Sequence, residues 1–175
     1  PTQRSVKEML SHGLQPDIVV CRSDQPMEDE ERRKIALFTN VKEDSVISMP
    51  DVNSIYKIPL LLNNQRVDEI VLKKLGLSSS KRPNLRDWKK VIKEDLEPKD
   101  SVKISMVGKY TELADAYKSL NEALKHGGFK NNLKVDIDYV DSEGLNSKNI
   151  NSKLKNSDAI LVPGGFGERG IEGMI

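Results

Sequence analysis

Asp158-Ala159-Ile160-Leu161-Val162-Pro163-Gly164-Gly165-Phe166-Gly167 is an apolar run that breaks into a glycine-rich turn. The run is short and bounded by turn residues, so it reads as a buried strand. Gly164 and Gly165 then leave the backbone without a Cβ to keep a ligand away. N–H groups displayed at such a turn stabilise a developing oxyanion. From spacing alone, the same two glycines read equally as an ordinary strand-to-helix turn.

Reading upstream, residues 102–107 form an apolar run and predict a strand. Residues 112–125 predict a helix, with Leu113, Ala116, Tyr117, Leu120 and Leu124 on one face and Gly127-Gly128 behind it. Residues 133–140 alternate as a second strand, 149–154 read as a short helix, and 159–162 as a third strand. This rhythm predicts an α/β fold with a parallel, doubly wound sheet. In the flavodoxin-like order the first and third strands lie side by side, and a crevice opens between their carboxy ends. Those ends carry Gly108-Lys109-Tyr110 and the turn 163–167, so a site at the switch point is built from these two loops. Lys118, on the following helix, is placed to reach a neighbouring surface.

The first part of the chain also alternates helix and strand. Val6, Met9 and Leu10 mark a helix, with Gly13 as its stop. Residues 17–21 read as a buried strand, and 27–38 as a helix with a charged start. Residues 45–48 read as a short strand. Asp51 is expected to cap a helix through Ile55, Tyr56, Leu60 and Leu61, which Pro59 kinks or splits. Helices at 67–75 and 85–92 follow, the latter anchored by Trp88, with a loop at 78–84 between them. Pro98 marks a linker. The expected organisation is a first domain at 1–94, a linker at 95–101 and a second domain at 102–175.

Composition narrows the function classes. A net charge of +1 makes no electrostatic case for a nucleic-acid or membrane-surface partner. One cysteine excludes an internal disulfide and a zinc cluster of cysteines. No apolar stretch approaches the roughly 18 residues of a spanning helix, and no signal peptide opens the chain, so a cytoplasmic location is expected. Pro1 in place of Met, and the apolar end Gly173-Met174-Ile175, read as cut ends. Cys21 reads as a core residue. His12 and His126 each precede a glycine and read as last-turn helix residues. Glu28-Asp29-Glu30-Glu31-Arg32-Arg33 reads as a solvated helix start, and Lys34 closes that run. Gly108-Lys109 lacks the earlier glycine and the following Ser/Thr of a phosphate-binding loop.

Several strings together resemble one family. Pro1-Thr2-Gln3, Gln15-Pro16-Asp17, Cys21-Arg22-Ser23-Asp24, Lys34-Ile35-Ala36-Leu37-Phe38, Asp51-Val52 and Ser54-Ile55-Tyr56 resemble the end of the synthetase domain of CTP synthases. Met106-Val107-Gly108-Lys109-Tyr110, Asp115-Ala116-Tyr117-Lys118-Ser119, Glu122-Ala123-Leu124-Lys125-His126-Gly127-Gly128 and the stretch 163–173 resemble the start of their class I glutaminase domain. The resemblance is weakest at 62–100. It implies the C-terminal part of a P-loop-type, Rossmann-like synthetase domain, followed by the first strands of a flavodoxin-like glutaminase domain.

The resemblance also implies an activity. CTP synthases use MgATP to phosphorylate the 4-oxygen of UTP, and ammonia from glutamine displaces that phosphate. GTP activates, CTP inhibits, and the enzyme is a homotetramer. Carried over by position, Pro1, Thr2, Gln3 and Lys34 are expected to contact UTP or CTP, and Pro50, Asp51 and Val52 lie near the ATP base. Gly164 and Gly165 match the oxyanion turn, with Gly165 contacting glutamine, and Lys118 and Phe166 match positions tied to the GTP effect. Arg4 departs from the His usual in the family. The phosphate-binding loop, the magnesium carboxylates and the Cys-His-Glu triad are expected outside these residues, Cys21 not being the nucleophile. On that reading the 175 residues alone are inactive. The alternative is a non-catalytic, truncated amidotransferase-like module that binds a nucleotide or a partner.

Overall fold

The computed structural model describes residues 2–78, 81–109, 111, 115–165 and 167–175. The chain is α/β with parallel sheets. It divides into two compact units, Pro1–Ile92 and Lys93–Ile175.

In the first unit, helix α1 (Thr2–Ser11) buries Val6 and stops where Gly13 turns left-handed, at φ 76°. Strand β1 (Val19–Ser23) leads into helix α2 (Asp29–Thr39), and strand β2 (Val46–Pro50) returns parallel to β1, with Val19 opposite Val46 and Ser23 opposite Pro50. Acidic residues fill the first turn of α2, where the helix dipole favours them. The Glu28 N–H donates to Glu31 Oε2 at 3.2 Å. Asn40, left-handed at φ 53°, closes the helix. Val6, Val19, Cys21, Ala36 and Val46 form the core here, with Met27, Ile35 and Val41 packed against it.

Two expectations need correction in this unit. Residues 17 and 18 lie outside β1, and Val20 is 53% exposed. Only the Val19–Cys21 face of β1 meets α1 and α2, so it is buried on one side rather than two. Asp51 does not cap a helix. Its carboxylate takes the Arg22 Nε at 2.8 Å, and the cap belongs to Ser54, whose hydroxyl accepts from the Tyr56 N–H at 3.3 Å. A single 3-10 turn (Ile55–Lys57) then enters α3 (Ile58–Asn64), where Pro59 sits in the first turn, the position at which a missing N–H costs nothing. Gln65 ends α3 and covers β2: its amide donates to the Ser48 carbonyl at 2.8 Å and accepts from the Ser48 N–H at 2.9 Å. Helices α4 (Val67–Lys74) and α5 (Arg86–Leu96) follow. Trp88 anchors α5 as expected, donating from Nε1 to the Tyr56 carbonyl at 2.6 Å.

The second unit is a three-stranded parallel sheet in the order β4-β3-β5. Strand β3 (Asp100–Gly108) is central, flanked by β4 (Leu133–Asp141) and β5 (Ala159–Leu161). Helices α6 (Lys118–Asn131) and α7 (Ile150–Leu154) make the crossovers. The first and third strands of this unit are therefore neighbours, as the flavodoxin-like order requires. Val107, Val140 and Leu145 are buried together, with Leu154 against them.

Three expectations change here. β5 is an edge strand rather than a buried one: Ile160 is 55% exposed, because β3 covers one edge and no described element covers its outer face. Residues 115–117 are turn, so α6 starts at Lys118; residues 112–114 lie outside the described set. The helix also runs through Gly127-Gly128 to Asn131 and is closed by Asn132, left-handed at φ 57°. His126 accordingly sits inside α6 against Phe129, ring centroids 5.7 Å apart, and not in a last turn. His12 does follow the end of its helix, with Nε2 3.6 Å from Glu8.

Gly127 and Gly128 separate two roles. A Cβ at Gly128 would stand 2.6 Å from the Leu133 carbonyl oxygen and 2.8 Å from Val135 Cγ2, so α6 meets β4 through that missing side chain. A Cβ at Gly127 meets nothing within 4 Å. Gly127→Ala should therefore stabilise by about 0.5–1 kcal/mol through helix propensity. Gly128→Ala should destabilise by about 1–3 kcal/mol despite the same propensity gain. Urea unfolding of both variants checks the opposite signs.

Candidate functional site

The carboxy ends of β3 and β5 converge. Met106 pairs with Leu161, and the chain then leaves both strands on the same edge of the sheet. Gly108 lies so close to its neighbours that a Cβ there would meet the Tyr117 hydroxyl at 2.5 Å and Pro163 Cγ at 3.2 Å. Lys109, only 8% exposed, donates from Nζ to the Gly167 carbonyl at 2.8 Å. Its Cε and Cδ stand 3.8 and 3.9 Å from the place a Gly165 Cβ would take. Arg169 returns the contact, donating to the Lys109 carbonyl at 3.1 Å while its Nε pairs with Glu143 at 2.9 Å. The loops after β3, β4 and β5 are thus tied together.

The turn's glycines fall into two groups. Gly167 is left-handed at φ 83°, a conformation that side chains rarely adopt. Gly164 and Gly165 have no such φ, and among the described residues no atom lies close enough to forbid a Cβ at either. Both are exposed. Their N–H groups have no acceptor among the described residues. The fold therefore explains Gly167 but does not need glycine at 164 or 165. Bare backbone that the fold does not require is open to a ligand that does.

Lys118 is the first residue of α6 and is exposed. Phe166 and Tyr110 lie outside the described residues, as does Pro1.

In the first unit, Thr2 and Gln3 open α1, and Lys34 lies on α2, whose flank packs on α1 through the shared core. The Lys34 ammonium is mostly exposed and pairs with Glu30 at 2.7 Å. Among the described residues no hydrogen bond or ion pair joins Lys34 to Thr2 or Gln3. Pro50 ends β2, and Asp51 and Val52 follow it. The Asp51 N–H donates to the Ser23 carbonyl at 2.9 Å, and its carboxylate holds Arg22. These residues sit at the carboxy ends of two parallel strands, the edge at which α/β sheets bind ligands. Among the described residues, no group of three or more His, Cys, Asp or Glu stands close enough to hold a metal ion.

The N-terminal stretch matches the family model for the CTP synthase N-terminus over residues 1–77. The stretch ending in the glycine turn matches that for class-I glutamine amidotransferases over residues 112–175. Together the two matches support reading the chain as part of a CTP synthase. The two matched domains support a link to pyrimidine biosynthesis, and in the parent enzyme such domains imply glutamine and nucleotide substrates. No helix of the described residues is long and apolar enough to cross a membrane. An open groove of about 680 Å³ lies in the first unit beside α4, with Leu77, Lys81, Arg82 and Pro83 on its wall, and is lined by both acidic and basic side chains. It touches none of the strand-end residues above.

Sequence reasoning placed the two loops but missed the latch of Lys109, Arg169 and Glu143. A lysine directly after an apolar strand end was the available signal.

Cys21 is a buried core residue, as expected. Burial pushes its thiol above the ordinary value of 9.0, while a hydrogen bond with the Thr2 side chain and the charge of Arg32 pull it down by less. A raised value means less thiolate, the reactive form, at a given pH. Iodoacetamide should therefore label native Cys21 more slowly than the urea-unfolded chain, and the native rate should keep climbing above pH 9.0. A native rate equal to the unfolded one would contradict this.

Proposed function

We propose that this chain serves the ATP-dependent amination of UTP to CTP, with ammonia drawn from glutamine. The supporting observation is the succession, in one chain, of a CTP synthase N-terminus and an amidotransferase unit whose strand ends present an unencumbered glycine turn. ATP phosphorylates the 4-oxygen of the uracil ring. Ammonia then attacks that carbon, phosphate leaves with the oxygen, and a proton is lost to give CTP. In the amidotransferase unit a nucleophile attacks the glutamine side-chain carbonyl. The backbone N–H groups at Gly164 and Gly165 receive the charge that develops on its oxygen, and Gly165 also borders bound glutamine. The nucleophile is not among these residues, since the single cysteine is the inert Cys21 of β1.

In the synthetase unit, Lys34 exchanges Glu30 for the triphosphate of UTP or CTP. Pro1, Thr2 and Gln3 complete that contact. Pro50, Asp51 and Val52 border the ATP base; Pro50 lacks an N–H and offers only its carbonyl. Magnesium accompanies ATP, and no step is assigned to it through these residues. Lys118 and Phe166 are the proposed contacts for activation by GTP. CTP inhibition, a homotetrameric assembly and a cytoplasmic setting complete the reading.

Two substitutions in the intact enzyme separate the half-reactions. Gly165→Val should cut glutamine-dependent CTP formation by about 10²–10³-fold, the cost of one oxyanion donor, and spare formation from added ammonia. Equal loss with both nitrogen sources would refute the turn's role. Lys34→Ala should raise the KM for UTP about ten- to a hundredfold with either nitrogen source, as the loss of one charge-assisted contact of about 1.5–3 kcal/mol requires. An unchanged KM would remove Lys34 from the nucleotide site.

A further inference from the structure

The ammonium of Lys109 is taken out of water beneath a turn whose outer face is bare backbone. Burying a charge is unfavourable unless a partner compensates. Lys109 directs its ammonium to a main-chain oxygen, the Gly167 carbonyl at 2.8 Å. Its methylene stem runs under Gly165 on the way. Gly167 is the left-handed residue of the turn, so the peptide that Lys109 grips is the one on which the turn's course depends. Arg169, itself held by Glu143 at 2.9 Å, fixes the Lys109 backbone from the other side.

We propose that Lys109 is a positioning residue for glutamine hydrolysis: its buried ammonium, gripping the Gly167 carbonyl, keeps the Gly164-Gly165 backbone aimed at the substrate oxygen. This rests on the reading of that turn as the oxyanion site. Lys109 touches neither substrate nor the reacting atoms. Its effect belongs to the step in which charge develops, because donors displaced by a fraction of an ångström still admit glutamine but no longer meet its oxyanion.

The test is steady-state glutamine hydrolysis by the intact enzyme with Lys109→Met, Arg169→Gln or Gly165→Val. Methionine keeps most of the stem and removes the charge. In Lys109→Met, kcat should fall about ten- to a hundredfold, the usual cost of an ångström-scale misplacement. The KM for glutamine should stay within about threefold, marking a transition-state effect. Arg169→Gln should lower kcat in the same pattern by a smaller factor. Amide hydrogen exchange in Lys109→Met should quicken at 164–170 and stay unchanged in β3 and α6. A wild-type kcat, a rise in KM alone, or faster exchange throughout the second unit would each overturn the proposal, the last by making Lys109 merely structural. Should Lys109→Met not fold, Arg169→Gln decides by the same criteria. If Gly165→Val still hydrolyses glutamine normally, the oxyanion reading falls and the proposal with it. If Gly165→Val loses hydrolysis while Lys109→Met keeps it, the turn's role stands and that of Lys109 falls.

Discussion

The parallel pairing of β3 with a neighbour on each side is the constraint from which the rest of the second unit follows. Parallel strands cannot be joined by a tight hairpin, so each return needs a crossover, supplied here by α6 and α7. Because both partners run with β3, all three strands release their chains at one edge. Residues far apart in sequence meet there: Lys109, Glu143 and the turn after β5. The register of β5 is set at its start. The Asp158 N–H donates to the Lys103 carbonyl at 2.8 Å, and its carboxylate takes the Lys103 N–H at 2.8 Å. Just past that anchor, Ser157 and Ser105 share a hydroxyl contact of 2.5 Å. With the entry pinned, a strand of three paired residues suffices to bring Pro163 against Gly108.

The strand order was legible because it depends on local signals: apolar runs of strand length, helical spacing between them, and the handedness rules that follow. What was hidden depended on partners distant in sequence. Gly127-Gly128 resembles a helix stop, yet Gly128 is glycine because β4 passes under it, and the true stop is Asn132. Asp51 is a good cap by residue type, but Arg22 lies opposite on the neighbouring strand and claims it. The apolar residues of β5 promised burial, and an edge position denied it. Gly108-Lys109 lacked the marks of a phosphate-binding loop, and the burial of Lys109 depends on a carbonyl 58 positions away.

The candidate site divides in the same way. Gly164 and Gly165 were legible as a pair, but their sequence does not tell a structural glycine from one kept for a ligand. Comparison within a single turn does. Gly167 is required by its left-handed backbone, whereas 164 and 165 lack that conformation and, among the described residues, any atom that a Cβ would strike. In the first unit, type and position were legible for Lys34 and Asp51, but not their occupation: both are paired within the chain, with Glu30 and Arg22. Such exposed pairs contribute little to stability, so exchanging a partner costs little.

A glycine-rich turn carries an internal conflict. Glycine admits the substrate to the backbone, yet it is also the residue with the most conformational freedom. Oxyanion stabilisation works because its dipoles are fixed before charge develops; a turn that must reorganise forfeits much of the benefit. On the proposed oxyanion reading, rigidity cannot come from side chains within 164–165, since adding them would block the approach. It has to come from beneath. A charge-assisted bond to a backbone carbonyl is stronger than a neutral one, and a buried ammonium has no water to exchange it for. Lys109 meets both conditions from the rigid end of the central strand, and Arg169 and Glu143 extend the hold to the loop after β4. On that reading the cost of ordering the turn is borne during folding rather than at the moment of reaction.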